Sequence, residues 1–184
     1  MPKSSSMHES ILQFLLKCGR LKSEARRGWI RKVGITKPES VADHSYRTAL
    51  MAMLFAELKG LDVCRALKMA ILHDLPEAII GDATPEETSP IERRKQKHWA
   101  MMNLISKLPV SVRIEYSSLW NELMKNQSDE ARLVSQVDKL EMAIQASEYV
   151  QQGYNESLLK EFFETAHRAV KVDLLRKLLS LLES

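Results

Sequence analysis

The chain has 184 residues, of which 45% are hydrophobic and 28% charged, and its formal net charge is +3. That balance excludes a disordered or fibrous protein, and the length suits a single domain that buries its own core without needing a disulfide or metal staple. The weak basic bias argues against a broad nucleic-acid surface, and no run is long and uncharged enough to cross a membrane.

The opening segment, MPKSSSMHES, lacks the apolar centre of a secretion signal. Cys18 and Cys64 have no CxxC spacing and read as buried free thiols of a reducing compartment. A cytoplasmic protein with neither nucleic acid nor membrane as partner is expected.

Glycine and proline number only six each, and no alternating, turn-bounded strand pattern occurs. Apolar periodicity instead predicts helices at 8–19, 41–59, 63–75, 90–107, 111–125, 129–152 and 157–182. The second starts at Ser40, with Asp43 at capping-box spacing, and stops at Gly60. Asp62 is an N-cap for the third. In that third helix, Pro76 cannot donate to the carbonyl of Leu72 and disfavours helical geometry at Leu75, so the helix is expected to end or kink just after Asp74. Ser89-Pro90-Ile91-Glu92 opens the fourth with a capping box and proline at the first helical position. Its basic run, ERRKQKHW at 92–99, reads as a solvated face. Ser128 caps the sixth. The last, with an apolar stripe, is expected to pack on its own domain or on a twin. Trp99 and Trp120 are expected in the core or a subunit contact.

Four polar groups interrupt these apolar patterns. His73 and Asp74 sit together in ILHDLPEAIIGD, His44 near the start of an earlier apolar helix, and Asp138 inside a later one. A bundle can bring such residues from different helices to one metal ion. Taken singly, each is more often a hydrogen-bonded core or surface residue; Asp138, for example, can pair with Lys139.

The series PESVADHS, HDLPEAIIGD and VDKLEM, preceded by ARRGW, occurs in that order with ARRGW first. It resembles the HD-domain phosphohydrolases, and within them the 5'-deoxynucleotidase branch, over about residues 10–150. The resemblance implies an all-α HD-domain helical bundle. It spans residues 1–184 as one domain, with the segment 157–182 packing on the core or on a dimer partner. It implies His44, His73, Asp74 and Asp138 as ligands of a divalent ion (Mn, Co, Fe, Zn, Ni or Mg), a donor set that singles out no one metal. It implies catalytic roles for Glu77, as general acid or base, and for Asp74. Substrate contacts fall to Arg26 or Arg27, Trp29, Asp82 and Lys139, and a second ion at Glu77, Asp82 and the Ala83 carbonyl is an open alternative. Glu77 shares the face of His73 only if the helix runs on through Pro76. The implied activity is hydrolysis of nucleoside 5'-monophosphates, preferably deoxy ones, to nucleoside and phosphate, by a homodimer. The competitors are hydrolysis of a nucleotide second messenger and metal-dependent nucleotide binding without turnover.

Overall fold

A computed structural model of the chain describes residues 6–84 and 86–183; the first five residues of the opening segment lie outside the described residues. In chain order the helices are α1 (Met7–Cys18), α2 (Arg27–Val33), α3 (Val41–Lys59), α4 (Val63–Leu72), α5 (Glu77–Ile80), α6 (Pro90–Ile105), α7 (Val110–Met124), α8 (Asp129–Gln151), α9 (Glu156–Ala169) and α10 (Asp173–Leu181), with a 3₁₀ turn at Gly19–Lys22. Among the described residues there are no strands, only an isolated antiparallel bridge between Ala25 and Ser40. No helix among them is long and apolar enough to cross a membrane.

The caps form as the sequence requires. Ser40 accepts from the Asp43 amide, and Asp43 accepts in return from the Ser40 amide at 2.9 Å. Asp62, Ser89 and Ser128 cap α4, α6 and α8 by accepting from the Arg65, Glu92 and Ala131 amides, and the return bond that would complete the capping box expected at Ser89–Glu92 is not formed. Each such cap contributes about 1 kcal/mol. Gly60 closes α3 in the left-handed region at φ 64°, where a Cβ would be strained.

Packing centres on α3, α4 and α8. α3 lies on α4 and α8, and α8 also touches α4, α7, α9 and α10. Val134, Val137, Leu140, Ala143 and Ala146 are buried along α8, and Trp120 of α7 is fully buried against the same core. A helix covered on several sides is apolar nearly all round, so an ionisable group on it has to find partners inside the protein.

Four expectations are corrected. The long C-terminal helix is two helices: Val170 and Val172 are extended, and both the Lys171 and Val172 amides donate to Gln136 Oε1, at 2.6 and 2.9 Å. A side chain from α8 thus satisfies the donors freed by the break. Cys64 is exposed rather than buried, and Cys18 is partly buried. Burial pushes the Cys18 thiol up to about 11. Trp99 is not a core residue, being 59% exposed. The short helix α2 and the four-residue α5, too brief to show a periodicity, went unpredicted.

Candidate metal and phosphate site

α4 ends at Leu72, one turn before Pro76, and a turn carries residues 73–76 into α5. The Glu77 amide donates to the Asp74 carbonyl within this turn. His73 and Asp74 are therefore presented at a helix end, not along a helix face. Opposite them, His44 projects from the first turn of α3 and Asp138 from the middle of α8.

Ligand atoms of His44, His73 and Asp74 all lie within 4.8 Å of one another. The two histidine Nε2 atoms are 3.2 Å apart. Asp74 Oδ2 is 3.1 Å from His73 Nε2 and 3.7 Å from His44 Nε2, and Asp138 Oδ1 is 3.2 Å from His44 Nε2. His44, His73 and Asp74 thus gather round one point, and Asp138 of α8 adjoins this trio through His44.

The rings are held in one sense. His44 is fully buried, and its Nδ1 contacts the carboxylate of Glu141, one turn beyond Asp138 on α8. Glu141 is itself held by Arg47 Nε at 2.9 Å, and Arg47 continues to Gln145 and Glu148. His73 Nδ1 lies 2.6 Å from the Ala70 carbonyl. In both rings Nδ1 is thereby the donor, so in the neutral form both Nε2 lone pairs face the common point. Two lone pairs and two carboxylates converging in this way repel unless a cation lies between them. Mixed imidazole and carboxylate donors with ordered outer partners suit a divalent transition metal.

Electrostatics points the same way. Burial lowers the His44 pKa, as does Arg26, but hydrogen bonds to Asp138 and Glu141 outweigh them and push it up to about 9. Burial raises Asp74, yet His73, Lys97 and Arg26 hold it well below the usual carboxylate range. Burial likewise raises Asp138, and Lys139 and His44 bring it well below. For Glu77, burial and then the neighbouring Asp74 raise the pKa, against the pull of Lys97. Asp74 and Asp138 are thus held in their charged forms, His44 is drawn toward a positive charge that an ion would supply in place of its proton, and Glu77 is shifted upward.

A cavity of about 330 Å³ opens beside the cluster, within the range of small-ligand sites. Asp74, Asp138, Arg26 and Glu77 line it, as do Trp29, Met142 and Phe162. Arg26 reaches it because the Ala25–Ser40 bridge ties the chain before α2 to the chain before α3, through Arg26 N to Glu39 O at 3.1 Å and Val41 N to Glu24 O at 2.8 Å. The Arg26 guanidinium lies 3.3 Å from Asp74 Oδ2. Arg27 turns away: its side chain is 48% exposed and pairs with Glu24 and Glu87. Of the two arginines, only Arg26 lines the cavity.

Trp29 is buried, stacks on Phe162 at 4.1 Å and donates to Glu39 at 3.0 Å. Asp82 Oδ2 accepts from the Arg27 amide at 2.6 Å, which anchors the start of α2. Asp82 and Ala83 border the cavity, as does Lys139, whose Nζ is 3.0 Å from Asp138 Oδ2.

Two residues assigned to a solvated face belong here instead. Arg93 Nη2 is 3.1 Å from Glu77 Oε1 and donates to the Gly81 carbonyl at 2.7 Å. Lys97 Nζ is 2.9 Å from Glu77 Oε1 and 2.7 Å from Asp74 Oδ1. The signal was present in the pattern. Ala100, Met101 and Leu104 are the buried stripe of α6, and stepping back along it by one and two turns reaches Lys97 and Arg93.

A helical bundle with a two-histidine, two-aspartate centre, cations on its rim and a cavity beside it defines a metal-dependent phosphohydrolase. The HD domain family model matches residues 18–177. The chain belongs to the HD domain family. It is 38% identical over 157 residues to human 5'-deoxynucleotidase HDDC2, covering 85% of this chain and 76% of that protein. It is 36% identical over 184 residues to the Dictyostelium discoideum 5'-deoxynucleotidase HDDC2, covering 94% and 96%. Among solved structures, a conserved hypothetical protein from Pyrococcus furiosus superposes with a TM-score of 0.78 at 36% identity, covering 94% of this chain and 98% of that one.

Proposed function

We propose that this protein is a metal-dependent 5'-deoxynucleotidase that hydrolyses nucleoside 5'-monophosphates, preferably deoxy ones, to nucleoside and phosphate. The observation that carries this reading is the cluster of His44, His73 and Asp74, with Asp138 3.2 Å from His44, beside a cavity that Asp74 and Asp138 line together with Arg26 and Trp29. The activity borne by the HDDC2 relatives supports it.

His44, His73, Asp74 and Asp138 would hold the ion. A divalent cation supplies Lewis-acid polarisation of the phosphate and lowers the pKa of water at neutral pH. Arg26, 3.3 Å from Asp74, binds and orients the phosphate, for which a guanidinium fork is well shaped. Glu77, its pKa raised by burial and by the neighbouring Asp74, is placed to donate a proton to the departing 5'-oxygen of the nucleoside. Its Oε2 has no hydrogen-bond partner among the described residues and is the oxygen available for this transfer. Met142, Phe162 and Trp29 give the cavity an apolar lining that takes the sugar and base. Lys139 adds positive charge at Asp138, and Asp82 keeps α2 in register with the cavity.

The chain works as one HD domain over residues 1–184. Two free cysteines, one exposed, support a reducing, cytoplasmic setting. Tyr46, Leu50, Leu54 and Leu58 recur every four residues on α3 and are exposed, an apolar stripe that supports a homodimer.

Phosphate release from a panel of deoxy- and ribonucleoside monophosphates, with Mn, Co, Mg or chelator, tests the reading. Deoxynucleotides are expected to be turned over with metal and not with chelator. No release above that of His73→Ala would overturn it.

A further inference from the structure

Arg26 is the N-cap residue of α2, yet its side chain makes no capping bond and extends to Asp74 instead. The first amides of a helix have no partner within it. The Arg27 amide finds its partner 55 residues along the chain, in Asp82. We propose that Glu24 is a positioning residue of the phosphate site: it clamps the segment carrying Arg26 onto Gly81 and Asp82, and so sets where the guanidinium meets a phosphate. This rests on the reading of Arg26 as the phosphate-binding group of a metal-dependent phosphohydrolase.

The clamp is reciprocal. Glu24 Oε1 accepts from the Asp82 amide at 3.0 Å, and Asp82 Oδ2 accepts from the Arg27 amide at 2.6 Å. Each segment gives one carboxylate and receives one main-chain donor, the logic of a capping box carried between segments remote in sequence. Arg26 lies between the two pinned positions. The Glu24 carbonyl in addition accepts from the Val41 amide at 2.8 Å, and the Arg26 amide donates to the Glu39 carbonyl at 3.1 Å. Glu24 therefore ties Arg26 both to the entry of α3, the helix of His44, and to the segment of Asp82 and Ala83.

That segment is built to admit the carboxylate. Gly81 has φ 73°, a conformation that glycine takes at no steric cost, and a Cβ there would stand 3.2 Å from Glu24 Oε1. A side chain at this position would press on the acid where it meets the Asp82 amide. Arg27 Nε, 3.8 Å away, partly balances the charge of Glu24. Because Glu24 takes a donor, it competes with no oxygen that Asp82 or Ala83 presents to the cavity.

Registration matters at Arg26 because its tip is surrounded by acids. The guanidinium lies 3.3 Å from Asp74 and 3.9 Å from Glu39. Coulomb attraction draws the group inward without fixing its plane. A guanidinium fork grips a phosphate with two parallel hydrogen bonds only when plane and reach are both right, and a misplacement of about 1 Å can cost up to a hundredfold. The main chain on either side of Arg26 supplies the fixed reference.

Inorganic phosphate titrated calorimetrically into the Mn-loaded wild type, Glu24→Ala, Glu24→Asp and Glu24→Gln tests this, alongside KM and kcat for a deoxynucleoside monophosphate. Glu24→Asp keeps the charge and shortens the reach, whereas Glu24→Gln keeps an oxygen acceptor at full reach without the charge. Glu24→Ala and Glu24→Asp are expected to lose roughly threefold to thirtyfold in phosphate affinity, the span of couplings exerted by a residue that touches no ligand. KM should rise in step, with kcat changing less, and Glu24→Gln should recover most of the affinity. Adding Glu24→Ala to Arg26→Ala should weaken phosphate binding no further, since the clamp acts through Arg26. Unchanged affinity in both Glu24→Ala and Glu24→Asp would overturn the proposal. So would a loss in Glu24→Gln with none in Glu24→Asp, which would make the effect one of charge, or full additivity with Arg26→Ala. Phosphate affinity indifferent to Arg26→Ala alone would defeat the reading of Arg26 first, and the clamp with it.

Discussion

His44 and His73 face each other through their Nε2 atoms at 3.2 Å, each with Nδ1 tied down from behind. Neither ring can turn its lone pair away from the shared point without leaving a buried donor unpaired, which costs about 1–3 kcal/mol. The pair is pre-set for an ion.

Removing either ring should therefore empty the centre. His44→Ala and His73→Ala are expected to lose bound Mn after desalting and to lose phosphate release, with circular dichroism unchanged. Retention of metal by both variants would separate the rings from ligation.

Glu141 touches no solvent and sits behind His44. Partners of this type are worth roughly tenfold to a hundredfold in metal affinity or activity. Glu141→Gln is expected to weaken Mn binding by that amount, measured by competition with a chelating dye. Glu141→Ala should do so more severely, because it also frees Arg47 Nε.

The two adjacent arginines should behave differently. Arg26→Ala removes a cation 3.3 Å from Asp74 and is expected to raise KM for a deoxynucleoside monophosphate by roughly tenfold or more. Arg27→Ala removes a half-exposed side chain paired with Glu24 and Glu87, and surface pairs contribute about 1 kcal/mol or less. Its KM should change less than threefold. Steady-state kinetics on the two variants checks the assignment.

Metal removal should be visible in stability. An ion bound to the folded state alone adds about 2.7 kcal/mol when present at a hundred times its Kd. For a chain of this size that corresponds to several degrees in Tm. Differential scanning calorimetry with Mn and with chelator is expected to show the chelated protein melting lower, and no shift in His73→Ala.

Gln136 is a structural test away from the site. Its Oε1 accepts from two successive amides at the break between α9 and α10. Gln136→Ala leaves both without that acceptor and should cost about 1–3 kcal/mol in urea unfolding, with KM unaltered.

Much of this molecule could be read from the chain. The Ser40, Asp62, Ser89 and Ser128 caps and the Gly60 stop fixed helix boundaries because capping is local chemistry between residues three or four apart. Ionisable groups in apolar stretches need a partner, which marks His44, His73, Asp74 and Asp138 as candidates, and the resemblance to the HD-domain phosphohydrolases is what makes them a ligand set. What escaped was tertiary. The break before α10 depends on a glutamine 35 residues away from Lys171. The buried stripe of α6 points Arg93 and Lys97 inward, but the acids they meet come from the turn after α4 and the start of α5, which nothing in the run itself announces. The choice between Arg26 and Arg27 rested on the Ala25–Ser40 bridge, a single backbone pairing with no local signature.

The order in which the ligands appear along the chain has a consequence for synthesis. The first stands in α3 and the last in α8, so a growing polypeptide has made His44, His73 and Asp74 long before Asp138 leaves the ribosome. The set of four is complete only once α8 docks, and a prematurely terminated product ending before that helix would carry His44, His73 and Asp74 without Asp138 and without the α8 wall beside them.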